Sequence, residues 1–126
     1  GGQPVDRPGH FFRPTIISDV DCRMAIAREE IFGPVAPIFR FETEKEVLDL
    51  ANDTEFGLAA YVFSSDIGCI FRVAEELETG MVGMNTGVIS TEVAPFGGVK
   101  QSGLGREGSK YGLDDYIELK YICLAT

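Results

Sequence analysis
One stretch of this chain matches a pattern with defined chemistry. Gly103-Leu104-Gly105-Arg106-Glu107-Gly108 satisfies G-x-G-x-x-G, the turn that seats a dinucleotide's pyrophosphate on a helix N-terminus. A working turn of that kind leaves a buried strand, opens a helix, and is followed about 20 residues later by an acid for the ribose. Here Val99-Lys100-Gln101-Ser102 comes before the glycines. It is too polar, and too close to Gly97-Gly98, to be a buried strand. Ser109-Lys110-Tyr111-Gly112 comes after, and Gly112 cuts any helix short. No strand ending in an acid lies at the right distance. Six glycines from Gly97 to Gly112 predict instead a loop in which backbones pass close together.

The other reactive side chains are scattered. Cys22, Cys69 and Cys123 are odd in number and widely spaced, which fits neither a disulfide framework nor a C-x-x-C metal pair. A reducing, cytoplasmic setting is the expectation. His10 stands alone between Gly9 and Phe11 and reads as a loop residue, so no metal is expected. Taken singly, Glu29 and Glu30 read as a solvated acidic pair, Phe32 as core and Ser90 as a loop serine. Phe96 reads as the anchor of a glycine-rich turn. Glu107 reads as an acid at a helix N-terminus, where the dipole favours it.

The elements that must position these residues alternate between strand and helix periods. Pro14–Ser18 is a β-branched run. Asp21–Ile31 carries Met24, Ala25 and Ala27 among charges and suggests a short helix, broken by Gly33-Pro34. Val35–Phe41 reads as a buried strand. Thr43-Glu44-Lys45-Glu46 is a capping box ahead of a helix that should end near Asn52-Asp53. Ala59–Ser64 reads as a strand. Asp66 is a fair N-cap for a second helix, whose apolar stripe is Ile67, Ile70, Phe71, Ala74 and Leu77. Gly80 sits where a left-handed helix cap would fall. Met81–Met84 is a strand running into Asn85, and Tyr116–Leu124 alternates like a terminal strand. This order predicts an α/β fold with a mostly parallel sheet.

The totals narrow the function. The 126 residues suit one domain with one core. The net charge is −9 and the sequence pI about 4.5, which repels phosphate backbones and anionic membranes. No nucleic acid and no membrane is expected as partner. No apolar run approaches the roughly 20 residues that span a bilayer. The opening, Gly1 to Gly9, reads as an interior loop without an initiator Met, and the chain is expected to be a piece of something longer.

Four segments, in order, resemble the aldehyde dehydrogenase superfamily. They are Glu29–Val35 (EEIFGPV), Asn52–Ala60 (NDTEFGLAA), the glycine-to-asparagine strand end Gly83-Met84-Asn85, and Pro95–Glu107 (PFGGVKQSGLGRE). With Ile89-Ser90 and the ending Glu118-Leu119-Lys120-Tyr121, the chain resembles most closely the succinate-semialdehyde branch of that family. The resemblance implies that residues 1–115 are the C-terminal part of the catalytic domain and 116–126 a terminal oligomerisation strand. It implies an enzyme that is a homo-oligomer, a dimer or a tetramer, and that uses NAD or NADP. Its substrate would be a small-molecule semialdehyde, oxidised to a dicarboxylate through a thioester on a cysteine. The matching segments include neither that cysteine's G-Q-x-C context, nor the E-L-G-G of the main base, nor the Rossmann domain. The chain alone is therefore expected to be inactive.

Residue by residue, Glu30 matches the glutamate that accepts from the nicotinamide ribose, and Phe32 the aromatic beside the nicotinamide ring. Ser90 matches the serine that donates to the substrate's far carboxylate, with arginines expected upstream. Phe96 matches an aromatic of the aldehyde tunnel. Glu107 matches a second glutamate placed to relay protons, which burial in the glycine-rich loop would tune. Two other readings stand beside this one: a dehydrogenase for another ω-carboxy aldehyde such as glutarate semialdehyde, and a free-standing assembly module that kept the fold without the chemistry.

Overall fold
The computed structural model describes all residues, Gly1–Thr126. They form two compact units, Gly1–Leu50 and Ala51–Thr126.

The first unit holds a parallel pair. Strand β1 (Thr15–Ile17) pairs β2 (Val35–Pro37) with Thr15 opposite Val35. Helix α1 (Glu44–Asn52) starts at the capping box. The Glu46 N–H donates to the Thr43 hydroxyl at 3.1 Å, and the Glu46 carboxylate accepts from the Glu42 N–H at 2.8 Å. The first bond satisfies an orphan donor of the helix start, and the second reaches the residue just before the cap, one short of the ideal capping box. The helix expected over Asp21–Ile31 is absent; only Ala25–Ala27 makes a single 3₁₀ turn. Asp21 explains this. Its carboxylate takes the backbone N–H of Arg23 at 2.8 Å and the Arg23 guanidinium at 2.9 and 2.7 Å, a local bond that competes with helix. The same Arg23 hydrogen bonds hold the Asp21 carboxyl well below the usual carboxylate range.

The second unit is built on a β–α–β crossover. Strand β3 (Phe56–Gly57) leads into β4 (Ala59–Val62), then α2 (Ile67–Glu76), then β5 (Met81–Met84). Strands β4 and β5 are parallel, with Ala59 opposite Met81 and Val62 opposite Met84. Asp66 caps α2 as its sequence predicts, accepting from Gly68 N at 2.8 Å and Cys69 N at 3.2 Å. Ile70 (1% exposed) and Val73 of α2 are its buried residues. Val99-Lys100, too polar for a buried strand, does form a two-residue strand, β6. It runs antiparallel to β3, with Phe56 opposite Lys100, so two of the three strand pairs are parallel. Lys100 Nζ donates to the carbonyls of Asn52 and Thr54 at 2.9 and 3.1 Å and pairs with Glu78 at 2.5 Å. The Asn52 side chain in turn bonds Glu76 O and Glu78 N. Within the second unit, one polar knot thus joins Asn52, the end of α2 and β6.

Gly80 does not cap α2. The helix ends at Leu77 in an extended conformation, and Gly80 is outside the left-handed region. Its lack of a side chain serves a close approach, because a Cβ there would overlap the Gly97 carbonyl oxygen. Tyr116, expected to open a terminal strand, is instead the last residue of a 3₁₀ helix, Tyr111–Tyr116. Residues 117–126 are exposed and lie in no strand.

The accessible surface is 10247 Å². A compact monomer of 13.7 kDa exposes about 6,600 Å², and two separately compact units of these lengths about 7,900 Å². Val20, Leu48, Ile70 and Val73 are the buried apolar side chains. The excess of more than about 2,000 Å² exceeds what a standard protein–protein interface buries.

Candidate active-site wall
Ser90 and Phe96 line one cavity of about 290 Å³, with Leu58, Ala59, Tyr61, Met81, Gly87, Val88 and Ile89. Apart from the Ser90 and Tyr61 hydroxyls this lining is apolar. The loop that carries Ser90 leaves β5 at Asn85, and both of its ends are fastened. At the start, Asn85 donates its N–H to Val62 O at 2.9 Å, and its side-chain amide bonds the backbone of Ser64. At the end, Phe96 and Glu107 exchange backbone hydrogen bonds at 2.9 and 2.7 Å, and Ser109 N donates to Glu92 O at 2.9 Å.

Phe96 is half-buried and also borders a second groove of about 570 Å³ beneath the glycine-rich loop, together with Arg106, Glu107, Asp115 and Tyr116. Arg106 holds this loop closed, donating to Gly98 O at 2.8 Å and Gly105 O at 2.7 Å. Gly103, Gly105 and Gly108 have φ of 117°, 75° and 65°, the left-handed region that glycine enters without strain. The 3₁₀ helix begins only at Tyr111. The G-x-G-x-x-G letters therefore open no helix, and no helix N-terminus faces a phosphate there. Glu107 is exposed in this chain. It also stands four residues before the 3₁₀ helix, outside its first turn.

Glu30 and Phe32 belong to the first unit, in the loop before β2. Glu30 is exposed and Phe32 is 93% exposed, so Phe32 is not the core residue its apolar character suggests. An aromatic face open to a planar ring and a carboxylate open to vicinal hydroxyls suit a nicotinamide riboside. The Gly33-Pro34 turn between them and β2 is closed by Val35 N donating to Gly33 O at 2.9 Å. The side chains that sequence reasoning did not single out are Tyr61, Asn85 and Arg106. Only Asn85 carried a usable signal, an asparagine straight after a strand, where the left-handed backbone is common.

An aldehyde dehydrogenase family profile matches residues 1–122. The chain belongs to the aldehyde dehydrogenase family. It is 60% identical over 124 residues to a glutarate-semialdehyde dehydrogenase of Pseudomonas aeruginosa, covering 98% of this chain and 26% of that protein. It is equally 60% identical over 124 residues to the NADP(+) succinate-semialdehyde dehydrogenase of Escherichia coli, with the same coverage. Among solved structures, the succinate-semialdehyde dehydrogenase of Burkholderia pseudomallei superposes with a TM-score of 0.94 at 63% identity, over all of this chain and 26% of its own. The chain thus spans about a quarter of the length of the relatives it matches. No helix is long and apolar enough to cross a membrane.

Proposed function
We propose that this chain is the C-terminal part of the catalytic domain of an NAD- or NADP-dependent aldehyde dehydrogenase acting on semialdehydes, succinate semialdehyde foremost. The observation that carries the reading is the apolar cavity walled by Ser90 and Phe96, in a chain 60% identical to two semialdehyde dehydrogenases. The apolar wall suits the short methylene chain of the substrate, and the Ser90 hydroxyl donates to its far carboxylate. Arginines from the rest of the enzyme complete the charge balance that one hydroxyl leaves unmet. Phe96 lines the aldehyde's path. Glu30 and Phe32 hold the nicotinamide riboside, which when bound supplies the hydride acceptor. Glu107, exposed and backbone-paired to Phe96, hands protons between water and the main base. Residues 116–126 pair with a second copy of the enzyme, where the exposed residues 117–126 would add to a strand edge.

Ser90→Ala in the full-length enzyme tests the contact. A hydrogen bond to a charged group contributes about 1.5–3 kcal/mol, so the KM for succinate semialdehyde should rise at least about tenfold. An unchanged KM rules the contact out. A glutarate-semialdehyde dehydrogenase is the second reading, favoured by the relative of that name. The ratio of kcat/KM for the two semialdehydes decides between them. The isolated chain should show no reduced-nicotinamide absorbance with either substrate.

A further inference from the structure
The position of Ser90 depends on how its loop leaves the sheet, and that departure is made by Asn85. The parallel ladder of β4 and β5 ends at Val62 opposite Met84. Asn85 N adds one more bond, to Val62 O at 2.9 Å. The next rung is made by a side chain: Ser64 N donates to Asn85 Oδ1 at 3.0 Å, and Asn85 Nδ2 donates to Ser64 O at 2.9 Å. Asn85 itself has a φ of 52°. Its amide therefore satisfies the backbone beyond β4 while its own backbone turns out of the sheet. Asparagine suits this place because it enters the left-handed region at low cost and carries both a donor and an acceptor.

The departing chain folds back over Gly83. A Cβ at Gly83 would stand 2.6 Å from Tyr61 Cδ1, and 2.9 Å from both Ile89 Cγ2 and Thr86 O. Thr86 then tightens the turn, its hydroxyl donating to Val88 O at 3.2 Å and accepting from Val88 N at 3.3 Å. Ser90 follows directly. The far end of the loop is pinned independently by the Glu92–Ser109 and Phe96–Glu107 backbone bonds.

We propose that Asn85 is a positioning residue for substrate choice: its amide sets where the Ser90 wall stands and hence which length of ω-carboxy aldehyde the cavity accepts. The proposal rests on the semialdehyde reading above. Asn85→Gly keeps the backbone conformation and removes the rung. Asn85→Asp keeps the acceptor, loses the donor and sets a carboxylate against Ser64 O. Thr86→Val loosens the same turn without touching the sheet, and it keeps the test open if an Asn85 variant fails to fold.

The experiment is steady-state kinetics of the full-length enzyme with succinate semialdehyde, glutarate semialdehyde and butanal. Both Asn85 variants should raise the KM for succinate semialdehyde about tenfold, with kcat held within about threefold. The preference between the two semialdehydes should fall by a similar factor, while the KM for butanal, which has no far carboxylate, stays put. Thr86→Val should move the preference in the same direction by less. A semialdehyde preference unmoved in every variant that folds, or a butanal KM that rises in step, overturns the proposal. A parent enzyme that does not favour semialdehydes over butanal refutes the functional reading instead.

Discussion

A methyl group on Gly80 has no room. Gly80 joins α2 to β5, and its N–H donates to Gly57 O at 3.0 Å. A Cβ there would overlap the Gly97 carbonyl oxygen and lie 2.9 Å from both Gly97 C and Gly98 Cα. All three obstructing atoms are backbone, so no rotamer change relieves the overlap. Gly80 has no left-handed φ, and by conformation alone Gly80→Ala should gain about 0.4–1 kcal/mol from the unfolded state. Overpacking costs about 1–3 kcal/mol, occasionally more, and an obstruction made of backbone belongs at the top of that range. The expected net loss is about 2–3 kcal/mol, a factor of roughly 30–150 in the folding equilibrium. Gly68→Ala is the contrast. It lies inside α2, and its Cβ would meet only the side-chain tips Arg72 Nη1 and Asp66 Oδ1, each at 3.3 Å. Helix propensity favours alanine there by up to about 1 kcal/mol. Urea unfolding of the full-length enzyme, followed by activity and by fluorescence, should show the midpoint falling for Gly80→Ala and holding or rising for Gly68→Ala. If Gly80→Ala matches the parent, or the two variants shift alike, the close-approach argument is wrong.

Two smaller perturbations read single contacts. Asp66→Ala removes the acceptor of Gly68 N and Cys69 N and should lower stability by about 1 kcal/mol in the same urea assay, with Asp66→Asn recovering most of it. Arg23→Ala should bring the Asp21 carboxyl back up towards its ordinary value of 3.8, as followed by carboxyl NMR titration. Because the folded pKa is depressed, the stabilisation by this pair is present above 3.8 and fades as pH falls below it. An Asp21 titration indifferent to Arg23→Ala would show that the pair does not hold in solution.

Features with local causes were legible in the sequence. The capping box at Thr43 and the N-cap at Asp66 work within three residues, and both helices start where these residues put them. Features with distant causes were not. Gly80 carries the local signature of a helix cap, yet its lack of a side chain answers to Gly97, which only the folded chain brings against it. Val99-Lys100 is too polar for a buried strand, and the two-residue β6 is not buried, but Lys100 gives no sign in the sequence of the partners that seat it. In the fold its ammonium is occupied by the Asn52 and Thr54 carbonyls and by Glu78. The Asp21–Ile31 stretch has helical composition, and the Asp21–Arg23 pair overrides it. For the site, the resemblance led to Ser90 and Phe96, and the fold brings them into one cavity. The residue that places Ser90 was named only as part of a strand end. The reason is that Asn85 acts through the backbone of Ser64, a partner 21 positions away.

The exposed surface of this chain carries the candidate residues Glu30, Phe32 and Ser90. Phe32 is 93% exposed, and Leu104, at the tip of the glycine loop, is fully so. A large apolar side chain gains about 1.5–3 kcal/mol from burial, so a sequence that leaves this many uncovered would be poorly stable by itself. On the proposed reading, the rest of an aldehyde dehydrogenase would cover this apolar surface. The glycine loop takes a part in that arrangement which its letters misstate. It binds no phosphate through a helix end. Its bare backbones let Gly97 approach Gly80, and Arg106 locks the turn that pairs Phe96 with Glu107.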